Sequence, residues 1–110
     1  MPLKISINHE RTNMSQLNFT NHSIKRMSKR KISWQEIEIC LSYGDVIHKT
    51  GAKHHVISRK VLSQWGLSEK LNGLCVIVSK DEYIITTFKS KNIISYTKRL
   101  SKNDLRKFYA

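Results

Sequence analysis

The stretch FTNHSIKRMSKRKISWQEIEICLSYG, Phe19–Gly44, decides the fold, because it carries two helix-start signals and a stop. Thr20 can accept a hydrogen bond from an N–H of the turn after it, with Phe19 and Ile24 at the two positions of a hydrophobic staple. A helix is therefore predicted from Asn21 to about Lys31. At about 100° per residue, Ile24 and Met27 share one side, while His22, Arg26 and Arg30 lie together on roughly the opposite side. The apolar pair should dock this helix, leaving the cationic row outward or in a cleft. Ser33-Trp34-Gln35-Glu36 then fits a capping box, which predicts a second helix with Trp34, Ile37 and Leu41 as its buried stripe. Gly44 stands where a left-handed residue would end it.

Beyond Gly44 the spacing changes from helical to β-branched runs, at residues 45–50, 55–62, 74–79 and 83–88. Gly51-Ala52-Lys53 and Lys80-Asp81-Glu82 are short enough to join antiparallel neighbours. Residues 63–73 are expected to form a loop or a single helical turn anchored by Trp65. Residues 1–18 show no sustained period and read as a mobile arm, with Leu3–Ile7 at most a short edge strand. After Lys89 the chain becomes basic, with Ile93, Ile94, Leu100, Leu105 and Phe108 as docking contacts and a short terminal helix starting at Ser101–Asp104. The expectation is an α+β domain over 19–89, two helices packed on one face of a curved four-stranded antiparallel sheet, followed by a basic extension over 90–110.

The chain has 110 residues, enough for one domain and one core. Its 20 Lys and Arg against 8 Asp and Glu give a formal charge of +12, which points to a polyanionic partner: RNA, DNA or an acidic protein. Cys40 and Cys75 form no Cys-x-x-Cys pair, so a disulfide framework or zinc ribbon is not expected, and buried free thiols fit a cytoplasmic protein. The adjacent His54 and His55 have no third ligand at metal spacing. No apolar run reaches the length of a signal core or a membrane span, so a soluble protein is expected. No Walker loop, dinucleotide turn, zincin helix or esterase elbow is present, and no cofactor is expected.

Residues 21–47, NHSIKRMSKRKISWQEIEICLSYGDVI, resemble the opening of a family of small uncharacterised domains with a His-x-x-x-Arg-Met helix, a second basic pair, Ile-Ser, a helix and Gly-Asp/Glu-Val-Ile. IITTF, residues 84–88, resembles that family's closing strand. Such domains have been grouped with the barnase–EndoU–colicin–RelE superfamily of compact ribonucleases, many of them toxins. The resemblance implies two helices before a four-stranded sheet, and phosphate-contacting or catalytic roles for His22, Arg26 and Thr86 or Thr87. Ser23 departs mildly from the small residue common after the histidine, and nothing in the family's pattern covers the extension after Lys89.

RNA cleavage without a metal needs a base for the 2′-OH proton, an acid for the 5′-oxygen and cations around the phosphorane. Histidine titrates near working pH, and arginine holds two phosphate oxygens in a fixed fork. His22 and Arg26, one turn apart at a helix N-terminus, suit one phosphate. The expected roles are His22 as base, Arg26 as clamp and Thr87 as hydrogen-bond donor. His54, His55 and Lys89 are the acid candidates, with His48 behind them; His55 is carried forward as a catalytic residue. Lys25, Lys29, Arg30, Arg59 and Lys89 are the expected nucleic-acid contacts. RNA is the expected partner, together with an acidic antitoxin or immunity protein, and no membrane. The rival readings are a non-catalytic nucleic-acid-binding module, whose basic helix is a solvated face, and a domain that binds an acidic protein.

Overall fold

The computed structural model describes residues 18–101. Apart from Asn18 and Ser101, the expected arm, the strand at Leu3–Ile7 and the helix begun at Ser101–Asp104 lie outside them. The order is β1 (Asn18–Phe19), α1 (Asn21–Arg30), α2 (Trp34–Tyr43), β2 (Asp45–Lys49), β3 (Ala52–Val56), α3 (Arg59–Trp65), a 3-10 turn (Glu69–Leu71), β4 (Leu74–Val78), β5 (Tyr83–Lys89) and α4 (Ile93–Arg99).

Thr20 starts α1, its hydroxyl oxygen accepting from the Ser23 N–H at 3.1 Å while its O–H faces the Ile84 and Ile85 carbonyls, both at 3.2 Å. One side chain thus caps the helix and ties it to the sheet. Lys31 ends α1 in the left-handed region, φ 55°, and its N–H returns to the Met27 and Ser28 carbonyls. Ser33 and Glu36 form both halves of the capping box on α2, at 3.1 Å and 2.9 Å.

The sheet runs β1-β5-β4-β3-β2, antiparallel throughout except for β1, which pairs parallel with β5. This corrects the four-stranded expectation: two residues are too few for a period, and the pairing depends on β5, some 64 residues away in sequence. Side chains alternate across β4, a fully buried strand. Leu74, Val76 and Val78 pack with Met27, Ile37, Cys40, Leu41, Val61 and Leu71. Cys75 and Ile77 pack on the other side with Ala52, Val56, Ile85 and Ile93. Each such fully buried aliphatic side chain is worth about 1.5–3 kcal/mol. Helices therefore cover both faces, not one: α4 packs on the second face, and Ile93 and Leu100, expected as docking contacts, are buried with Thr97.

Four local expectations also change. The strand expected at 55–62 stops at Val56, because Ser58 accepts from the Val61 N–H and starts α3. Trp34 is 52 % exposed and meets Phe19 edge-on at 4.7 Å, so it lies outside the core; Cys40 and Tyr43 join Ile37 and Leu41 in the buried stripe of α2. Ile24 is 46 % exposed, and Ser23 docks α1 beside Met27 in its place. Gly44 is extended, φ −68°, and not left-handed; a Cβ there would lie 2.6 Å from the Cys40 carbonyl oxygen and 2.9 Å from that of Val56. Close backbone approach, not a left-handed turn, is what requires glycine.

Candidate functional site

α1 lies along β5 and carries the cationic row. His22 and Arg26 are half-buried, and Lys25, Lys29 and Arg30 are exposed. Arg26 Nε donates to His22 Nε2 at 3.3 Å. A guanidinium has no lone pair to offer, so this bond requires a neutral ring with its proton on Nδ1. One turn later Arg30 Nη1 donates to the Thr87 carbonyl at 2.9 Å, covering a polar group on β5 beyond the reach of β1. Partial burial and then repulsion from Arg26 lower the Arg30 pKa, opposed by the Tyr96 phenol.

Arg30 opens onto a cleft of about 550 Å³ lined also by Ile32, Phe88, Lys89, Ser90 and Tyr96. Phe88 and Tyr96 meet edge-to-face at 5.3 Å. Lys89 Nζ sits 3.4 Å from Glu36 Oε2, linking the cleft to the capping box. Burial alone would raise the Glu36 carboxyl; the Ser33 amide and Lys89 outweigh it and leave the pKa below its ordinary value.

A family profile described as Domain of unknown function (DUF4258) matches residues 19–89. The chain belongs to the DUF4258 family. No curated protein and no solved structure matches it. The DUF4258 match runs from Phe19 in β1 to Lys89 at the end of β5, so it includes the whole cationic row and leaves α4 beyond it. The family description carries no activity.

Within the DUF4258 region the remaining predicted residues are dispersed. The register around the β-bulge at Ile77/Val78 places Thr86 opposite Ile77 and Thr87 opposite Val76, so Thr87 is the threonine on the α1 face. It is wholly buried, and its hydroxyl touches no solvent-borne phosphate in this arrangement. His55, also opposite Val76, is 1 % exposed on that face. His54 faces the α4 side, fully buried, with Nε2 donating to the Lys49 carbonyl at 3.1 Å. Desolvation lowers its pKa below 6.5 more than that bond raises it, and His48 and Lys49 lower it further. His48 is exposed beside the β2–β3 turn. Arg59 lies on α3, ion-paired at 2.9 Å to Glu69. Among the described residues, no group of three His, Cys, Asp or Glu gathers as a metal site, and no helix is long and apolar enough to cross a membrane. Sequence reasoning missed Tyr96 as a lining residue, although Ile93, Thr97 and Leu100 recur at helical spacing and signal the helix that presents it.

Proposed function

We propose that this domain is a metal-independent endoribonuclease, a toxin acting on cellular RNA. The observation that carries the reading is the His22–Arg26 pair, a neutral imidazole held by a guanidinium on the first turns of a basic helix. A phosphodiester competes for Arg26. As the guanidinium turns to two phosphate oxygens, His22 Nε2 is released to take the 2′-OH proton. The 2′-oxygen then bonds to phosphorus, the bond from phosphorus to the 5′-oxygen breaks, and that oxygen leaves with a proton from an acid. That proton comes from water, because His54 and His55 are buried in the sheet and Lys89 lines the cleft at Arg30, where it pairs with Glu36. Arg30, Lys25 and Lys29 hold neighbouring phosphates on the exposed face of α1, and a chain of charge +12 suits an acidic inhibitor protein as well as RNA.

A second reading is a non-catalytic nucleic-acid-binding module. It is favoured by the burial of His55 and Thr87, which leaves His22 as the only imidazole on the cationic row among the described residues.

Total RNA incubated in excess EDTA with the native protein and with His22→Ala separates the two. Cleavage that leaves 2′,3′-cyclic phosphate ends and disappears in the variant supports the enzyme. Salt-sensitive binding with no cleavage supports the module.

A further inference from the structure

α4 stands outside the family match, yet it completes the cleft that begins at Arg30. The cleft is lined by two cationic groups, Arg30 and Lys89, and an aromatic pair, Phe88 and Tyr96, whose rings are 5.3 Å apart. Lys89 shares its charge with Glu36, so Arg30 is the stronger anchor: one of its five N–H groups is engaged by the Thr87 carbonyl. Tyr96 is half-exposed and meets Phe88 edge-to-face, which holds its ring in place. A phosphate-binding guanidinium beside a braced aromatic ring is the arrangement that holds one nucleotide of a single strand, phosphate on the cation and base on the ring. In a duplex the base is stacked and paired and cannot reach such a ring.

We infer that this cleft is a base-stacking subsite for single-stranded RNA, with Tyr96 of α4 as its platform and Arg30 as its phosphate anchor. The inference deepens the ribonuclease reading by naming its substrate class, and it rests on the nucleic-acid part of that reading. The segment after Lys89 is thus part of the substrate site and not only a source of charge. The distance between His22 and Arg30, eight residues or about 12 Å along the helix, places the subsite away from the reacting phosphate, so it selects the strand and does no chemistry.

The test is fluorescence anisotropy with a 2′-O-methyl oligonucleotide, which the enzyme cannot cleave. Three probes are used: the single strand, the same strand with abasic positions, and the duplex. Tyr96→Ala and Tyr96→Leu are each expected to weaken single-strand binding at least about fivefold, and Tyr96→Phe to stay near native. Neither the abasic strand nor the duplex should respond to any Tyr96 variant. The leucine variant keeps an apolar contact with Phe88, so a loss there is not a folding defect. Equal loss on the ordinary and abasic strands, or no loss on either, overturns the subsite. His22→Ala is scored separately by cleavage of ordinary RNA. A Tyr96 effect without any cleavage keeps the subsite and removes the enzyme; cleavage without a Tyr96 effect does the reverse. A native protein that binds none of the probes overturns the subsite.

Discussion

Gly73→Ala should be among the most damaging small substitutions in the domain. Gly73 precedes β4 at φ +81°, where an L side chain is strained by about 1–2 kcal/mol. A second cost is steric. An added Cβ would sit well inside contact distance of the Ser90 carbonyl carbon and oxygen and 3.0 Å from its nitrogen, all backbone atoms that no rotamer can move aside. Ser90 would have to retreat and give up its 3.0 Å N–H bond to the Gly73 carbonyl, a loss of about 1–3 kcal/mol in a largely buried position. The two terms give about 2–5 kcal/mol, a large share of the roughly 5–15 kcal/mol of a typical domain. Gly66→Ala is the control: Gly66 is also left-handed, φ +63°, but a Cβ there meets nothing within 4 Å, so only the strain term remains. Urea unfolding of both variants, followed by circular dichroism at unchanged m-value, compares them directly. If the two midpoints translate into stabilities within about 0.5 kcal/mol of each other, the steric reasoning is wrong.

Trp34→Ala should cost only about 0.5–1.5 kcal/mol, the worth of an exposed edge-on aromatic contact, and a melting experiment showing a loss above 3 kcal/mol would return Trp34 to the core. Because burial holds the His54 pKa below 6.5, the unfolded chain binds more protons below that value; stability is complete above pH 6.5 and falls as pH drops through it. Urea midpoints at pH 7.5 and 5.5 should show this decline, with His54→Gln flattening it; an unchanged slope in that variant would assign the effect elsewhere. Arg26→Lys keeps the net charge but loses the fork, and kcat/KM on RNA is expected to fall about ten- to a hundredfold with the melting point unmoved. Native turnover in that variant would remove Arg26 from the site.

The parts of the fold legible in the sequence are those fixed locally. Thr20 and the Ser33–Glu36 box act within a single turn, and β2, β4 and β5 carry β-branched runs bounded by turns, so their signals survive without tertiary information. The expectations that change are those where a short local cap interrupts a β-branched run or where tertiary packing decides. Val56, Ile57, Val61 and Leu62 look like one strand by composition, and only the cap at Ser58 reveals the change to helix. Trp34 has the spacing of a core residue, but at the first position of α2 it stays 52 % exposed, with Phe19 against it. That His22 and Arg26 share a helix face followed from helical spacing alone; the bond between them did not. The burial of His55 and Thr87 did not, since strand alternation gives sides but not which of them a helix covers.

The division of β4 between two apolar layers has a consequence for synthesis. When a growing chain has emerged as far as Lys89, every strand of the sheet is present, but the layer of Ala52, Val56, Cys75, Ile77 and Ile85 is still uncovered. It stays bare until Ile93, Ile94 and Tyr96 have left the ribosome and α4 can close over it. A gene cut at the family boundary would stop the chain in that state, with an open oily sheet that favours clumping over folding. α4 therefore serves as the molecule's guard against self-association during its own manufacture.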